Sequence, residues 1–197
     1  MKAAAFEYLR AAGADQAIAC LADPRWDGMA KVCSGSQSLG PMLNLRLAQP
    51  VALVDVSRIG ALREVTLGTE LLRIGAAVTH ARIEDGTLPD VTRGLLPRVA
   101  GGIAYRAVRN RGTLGGSLAH ADPAADWVST MCLLDAGIVL QGAGGQRRLR
   151  PVDFFLGPFT TALADDELLV AVEVPRFTDG ARWAYHKVCR KPGEFAD

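Results

Sequence analysis

No stretch of this chain stays apolar for the about 20 residues that a bilayer-spanning helix needs. Its start, Met1-Lys2-Ala3-Ala4-Ala5, runs into Glu7 and Arg10 rather than the apolar centre of a signal peptide. Cysteine is scarce and scattered: Cys20, Cys33, Cys132 and Cys189 form no Cys-x-x-Cys pair, which excludes a local zinc or iron–sulfur motif. The four read as buried or half-buried free thiols of a reducing compartment, so the expected location is the cytoplasm. Charge of either sign is not in excess. Lys and Arg total 22 against 21 Asp and Glu, a formal net charge of +1, which makes no electrostatic case for nucleic acid or an acidic membrane. The short basic run Arg147-Arg148-Leu149-Arg150 reads as a solvated hairpin arm. G-x-G-x-x-G and G-x-x-x-x-G-K-[ST] are absent, and so are G-x-S-x-G and H-E-x-x-H. Hydrolase, kinase and zincin readings lose their main support with them.

What is present is an ordinary globular composition, 49% hydrophobic and 22% charged over 197 residues, enough for one large domain or two small ones. Phe6–Leu9 reads as a strand, and Asp15 as the N-cap of a helix carrying Ala14, Ile18 and Leu21. Lys31–Cys33 and Val51–Val56 read as further strands. Leu39, Met42, Leu43 and Leu47 lie at helical spacing between them. This order implies a small parallel or mixed sheet with helices packed on it. From about Ser57 the texture changes. A hairpin is expected around Gly68-Thr69-Glu70, a helix capped by Thr79, and one helix over Leu96–Val108. A helix starting at Asp122-Pro123 and carrying Val128, Met131 and Leu134 follows. Gly142–Gly145 marks another hairpin. Asp153 is expected to cap a short helix, Leu168–Val174 alternates as a strand, and Trp183, Tyr185 and Lys187 share one face of a last strand. The organisation is α+β in two lobes meeting near Val56.

Two loops of small residues, one per lobe, are the informative pairing: Ser34-Gly35-Ser36-Gln37-Ser38 and Arg109–Asp126, RNRGTLGGSLAHADPAAD. Each is expected to follow a strand and precede a helix, so that both present N–H groups to one diphosphate of a nucleotide cofactor between the lobes. His80, His120 and His186 are isolated, and for each a structural or surface role is the simpler reading. Asp126 caps a helix or bonds sugar hydroxyls.

Lys31–Arg46 (KVCSGSQSLGPMLNLR) and Arg109–Asp126 closely resemble the two signatures of the FAD-binding medium subunit of molybdenum hydroxylases. These are the relatives of aerobic carbon-monoxide dehydrogenase and xanthine dehydrogenase. The likeness continues through Asp153-Phe154-Phe155, Gly157–Leu163, Glu167-Leu168-Leu169, Pro175 and Tyr185-His186-Lys187. It implies the two-lobe FAD-binding fold of the vanillyl-alcohol-oxidase (PCMH) type: a small mixed βαβ lobe (1–56), a larger lobe with an antiparallel sheet and helices (57–178), and the start of a truncated C-terminal subdomain (179–197). It implies FAD held by Val32, Cys33, Ser34, Gly35, Ser36, Gln37, Ser38 and Leu39 and by Thr113, Leu114, Gly115, Gly116 and Ser117. Ala119 and Asp126 would contact the adenosine half, while Leu169 and Lys187 would contact the isoalloxazine. No side chain is implied as a catalytic acid or base. The implied role is electron transfer, from the [2Fe–2S] clusters of a small subunit that serves a large molybdopterin-binding subunit, to an external acceptor. A dimer of heterotrimers is the implied assembly. The alternatives are a truncated remnant or assembly element that binds FAD weakly or not at all, and a stand-alone flavin oxidase. Ser36 stands where the family's Ala-Gly-Gly-Gln-Ser loop has its second glycine.

Overall fold

The computed structural model describes residues 2–196. Its first lobe alternates β1 (Glu7–Arg10), α1 (Ala14–Leu21), β2 (Ala30–Cys33), α2 (Leu39–Asn44) and β3 (Ala52–Asp55). The sheet order is β1-β3-β2 with all pairs parallel. The central strand β3 is buried along its whole length, as expected of a parallel strand covered on both faces. Asp15 is not the cap of α1: Gly13 occupies that position in extended conformation, and Asp15 sits in the first turn, where its charge favours the helix dipole.

A second, antiparallel sheet follows, built from β4 (Val65–Leu67), β5 (Leu71–Gly75), β6 (Gly137–Gly142), β7 (Gly145–Leu149) and β10 (Leu168–Pro175) in the order β4-β5-β10-β6-β7. Between β5 and β6 lie α3 (His80–Glu84), α4 (Leu95–Gly101), α5 (Arg106–Arg109), α6 (Leu114–His120) and α7 (Asp126–Leu134). Between β7 and β10 lie α8 (Pro151–Phe154) and the small hairpin of β8 (Phe155–Gly157) and β9 (Thr160–Thr161). No helix among the described residues is long and apolar enough to cross a membrane.

Strand β10 joins the two halves. A bulge between Leu169 and Ala171 places one extra residue opposite β6 and resets which face each side chain takes. Leu169, Val172 and Val174 then pack with α4, α6 and α7, among Leu96, Val99, Leu118, Trp127 and Met131. Leu168, Val170 and Ala171 pack toward the first lobe, among Ile18, Leu21, Val54 and Val56. The halves therefore share a core, with β10 buried on both faces.

Several local expectations are corrected. The single helix over Leu96–Val108 is two, α4 and α5, because Gly101-Gly102 end the first and Ala104 turns the chain with a φ of 41°. Asp122 does not start a helix. Its Oδ1 accepts from the Ala124 N–H at 2.9 Å in a turn, and α7 begins at Asp126 after Ala125. Asp153 lies inside α8 rather than capping it. Residues 183–187 keep a strand's alternation, with Trp183, Tyr185 and Lys187 half-buried and their neighbours exposed, but no pairing partner among the described residues makes them a strand. Cys132 is exposed rather than buried. Thr79 does cap α3, accepting from the Arg82 N–H at 3.3 Å.

Candidate functional site

Parallel sheets bind ligands beyond the carboxyl ends of their strands, and β2 delivers the first loop there. Among the described residues, the backbone N–H groups of Ser34, Gly35, Ser36, Gln37 and Ser38 have no protein acceptor. The loop is closed instead through its carbonyls: Gly40 N–H donates to Ser36 O at 2.9 Å, Met42 N–H to Ser38 O at 3.1 Å, and Gln37 Nε2 to Gly35 O at 2.9 Å. Consecutive unbonded N–H groups in a turn form a concavity for anionic oxygen. Ser34 Oγ is buried without a partner at the same place. Ser36 takes a φ of 56°, the left-handed region that glycine would occupy without strain.

The second wall differs from the sequence expectation. The glycine segment follows a helix, α5, rather than a strand, and is itself the first turn of α6. Thr113 caps it, with Oγ1 accepting from Gly116 N–H at 3.2 Å. Leu114 N–H donates to Val78 O at 3.0 Å, Gly115 N–H to Ala76 O at 2.9 Å and Ser117 N–H to Thr113 O at 3.0 Å. These N–H groups are thus committed inside the protein. Of the two loops expected to present N–H groups, only the first leaves a run of them unbonded among the described residues. The second contributes small, closely packed surface and the Ser117 hydroxyl. A Cβ on Gly115 would lie 2.5 Å from Ala76 Cβ and 2.8 Å from Ala76 O, so that glycine serves close packing of α6. A Cβ on Gly35 would lie 2.0 Å from Arg111 O, so the two walls touch backbone to backbone. Arg109 fixes the approach to the second wall. Its guanidinium grips Glu84 at 2.7 and 2.9 Å and donates to the carbonyls of Ile103 and Ala104, each at 2.9 Å. The Arg109 guanidinium holds the Glu84 carboxyl below its usual range.

Between the walls lies a cleft of about 1020 Å³. Val32–Leu39, Thr113, Gly115, Gly116, Ser117, Ala119, Asp126, Leu169 and Lys187 all line it. Leu114 does not: it is fully buried in the core. At one point of the cleft Lys187 Nζ meets Asp126 Oδ2 at 2.8 Å and Gly102 O at 3.2 Å, and the Tyr185 hydroxyl donates to Asp126 Oδ1. Burial, with this bond to Asp126, pushes the Tyr185 phenol well above its ordinary range. The ion pair places Asp126 and Lys187 side by side at one point of the cleft. It also offsets most of the positive charge Lys187 would bring. Cys33 lines the cleft with its thiol pushed up to about 11, by burial and then by the Asp55 charge, so it is protonated at neutral pH.

The structure adds residues that sequence reasoning left out. Phe159, Thr160 and Thr161 reach the cleft from the β8–β9 hairpin, which Phe159 N–H ties to Ala121 O at 2.8 Å. A Gly-Pro pair such as Gly157-Pro158 is a turn signal, but it does not say which way the turn faces. His80, 5% exposed, also lines the cleft. Its isolation in the sequence carried no signal.

Set against known proteins, residues 4–177 match the family described as the FAD binding domain in molybdopterin dehydrogenase. The 6-hydroxypseudooxynicotine dehydrogenase complex subunit alpha of Paenarthrobacter nicotinovorans is 35% identical over 196 residues, all of this chain and 66% of that one. The carbon monoxide dehydrogenase medium chain of Hydrogenophaga pseudoflava is 37% identical over 191 residues, 97% of this chain and 66% of that one. Among solved structures, quinoline 2-oxidoreductase from Pseudomonas putida 86 superposes with a TM-score of 0.93 at 38% identity, covering 100% of this chain and 67% of that chain. The chain spans just under two thirds of the length of these two curated relatives.

Proposed function

Because the chain belongs to the FAD-binding domains of the molybdopterin dehydrogenases, with the PCMH-type fold of that family, we propose that it holds FAD in the cleft between the two walls as an electron-transfer component of such a complex. The observation that carries this reading is the first loop, with five backbone N–H groups and the Ser34 hydroxyl lacking protein partners at the rim of a cleft large enough for a dinucleotide. An anionic diphosphate meets those donors. Val32, Cys33, Gly35, Ser36, Gln37, Ser38 and Leu39 complete that contact. Thr113, Gly115, Gly116, Ser117 and Ala119 form the opposite wall, and Leu169 supplies apolar surface at the start of β10. Asp126 and Lys187 act together as one near-neutral polar pair. Leu114 supports α6 from the core and is no contact.

FAD, when bound, carries the redox chemistry. The protein's part is to bind and orient it and to set the polarity around it. In this reading electrons arrive from [2Fe–2S] clusters on a small partner subunit, downstream of a molybdopterin centre on a large one, and leave to an external acceptor. The proposed setting is the cytoplasm, in a dimer of heterotrimers. The working units proposed are residues 1–56, 57–178 and 179–197, with the third as the start of a further subdomain. Purified chain mixed with FAD should retain it through gel filtration and show the structured absorption of a bound flavin. Gly116→Val should lose it, since that side chain opens into the cleft and its Cβ crowds only Thr113 Oγ1, at 2.8 Å. A chain that stays colourless alone and in the assembled complex overturns the proposal and favours an assembly role.

A further inference from the structure

His80 is nearly fully buried, yet it lines the cleft. One nitrogen of its ring is pinned. Trp127, itself fully buried, donates its indole Nε1–H to His80 Nδ1 at 3.1 Å. An indole nitrogen can only donate, so Nδ1 must be the bare acceptor and the ring proton must sit on Nε2. Among the described residues that Nε2–H has no acceptor, and the atom is not fully enclosed. A Cβ on Gly112 would lie 2.8 Å from both Nε2 and Cδ2, so glycine at that position lets the chain pass close to this edge of the ring without a side chain blocking it. The His80 N–H donates to Gly112 O at 2.9 Å, which locks the residue onto the chain just before the cap of α6.

We infer that His80 is a neutral hydrogen-bond donor to the bound flavin nucleotide, presenting Nε2–H to an acceptor oxygen of its diphosphate–ribityl span, with Trp127 as the positioning residue that selects the tautomer. The inference rests on the FAD reading above. A neutral donor suits this place. The groups facing the ring are Trp127, Arg109 and Asp126, and burial and the Arg109 charge oppose protonation more than Asp126 favours it. The imidazole therefore stays uncharged at neutral pH and holds one proton on one known nitrogen. The Nε2–H is left without a protein acceptor beside the cleft, so an acceptor oxygen of the ligand can take the place of solvent there.

The test is FAD titration of the full chain, read by flavin fluorescence, beside long-range proton–nitrogen NMR of the histidines. Wild type should show His80 protonated at Nε2 only, with that nitrogen shifting as FAD saturates. His80→Phe should weaken FAD binding by about tenfold or more. His80→Gln, whose amide can both accept from Trp127 and donate, should recover much of it. Trp127→Phe should release the tautomer preference and weaken FAD less than His80→Phe does. If wild type binds no FAD, the functional reading fails. If wild type binds but His80→Phe binds equally, or the proton is found on Nδ1, the inference about His80 fails while the functional reading stands. Should His80→Phe not fold, the wild-type NMR decides.

Discussion

His80 makes the protein acid-sensitive, and the size of the effect follows from its surroundings. Burial, and then the Arg109 charge, lower its pKa from 6.5 to about 4. Between those values the unfolded chain binds a proton that the folded chain refuses. Stability therefore rises with pH across this window: the His80 contribution is complete above pH 6.5 and is lost as pH falls toward 4. At about 1.4 kcal/mol per pKa unit, the full loss is about 3 kcal/mol, most of which should be gone near pH ~4.5. That is a large fraction of the about 5–15 kcal/mol of a typical domain. The assay is urea unfolding near pH ~7 and near pH ~4.5, on wild type and His80→Phe, in the absence of FAD. The Phe variant leaves the Trp127 indole N–H unpaired, a cost of about 1–3 kcal/mol that does not depend on pH. Glu84, Asp55 and Glu167, whose carboxyls are held low by their partners, weaken both proteins equally on acidification. The expected result is that wild type loses roughly 2–3 kcal/mol more than the variant between the two conditions. Equal losses would refute the reasoning, because they would mean that His80 takes up its proton in the folded state.

Ser36→Gly should stabilise the protein by about 1 kcal/mol by removing a left-handed serine, raising the melting temperature by about 2–4 °C; an unchanged or lower midpoint contradicts the assigned backbone. Asp126→Asn strands the Lys187 ammonium, whose side chain is 11% exposed, and should cost about 3–5 kcal/mol. Asp126→Asn combined with Lys187→Met should cost less than the two single changes added, and strict additivity would show that the pair does not interact. In timed alkylation followed by mass spectrometry, exposed Cys132 should react well before Cys33, whose thiol is buried and pushed up to about 11. Early modification of Cys33 would refute its placement.

Much of the architecture was legible because local patterns and packing agree. The alternation of strand and helix over residues 7–55, the hairpin of β4 and β5 and the hairpin of β6 and β7 fall where apolar periodicity and turn residues put them. The misses have specific physical causes. Asp122-Pro123 misplaces the start of α7 because the Asp122 carboxylate closes a turn onto the Ala124 N–H and the chain enters the helix only at Asp126; α6 starts separately at Thr113, where the β-bridge to Thr79 and the hydrogen bonds to Val78 and Ala76 anchor the chain. Glycines in the first turn of a helix look, in sequence, like a loop. Which glycine opens onto the cleft and which packs against protein depends on the path of Ala76 and Arg111, set by the fold rather than by the glycine motif itself. The same is true of Asp126 and Lys187, 61 positions apart in the chain and 2.8 Å apart in space. His80 was passed over because its distinction comes from one indole 47 positions away.

The central claim is that the first loop receives the cofactor's diphosphate through its own backbone. Amide proton–nitrogen spectra recorded while FAD is added report on those N–H groups one by one. The account predicts saturable downfield shifts concentrated at Gly35, Ser36, Gln37 and Ser38, with the amides of Leu114 and Gly115, already bonded to Val78 and Ala76, moving little. Saturable FAD binding that leaves the Gly35–Ser38 amides unmoved would contradict it.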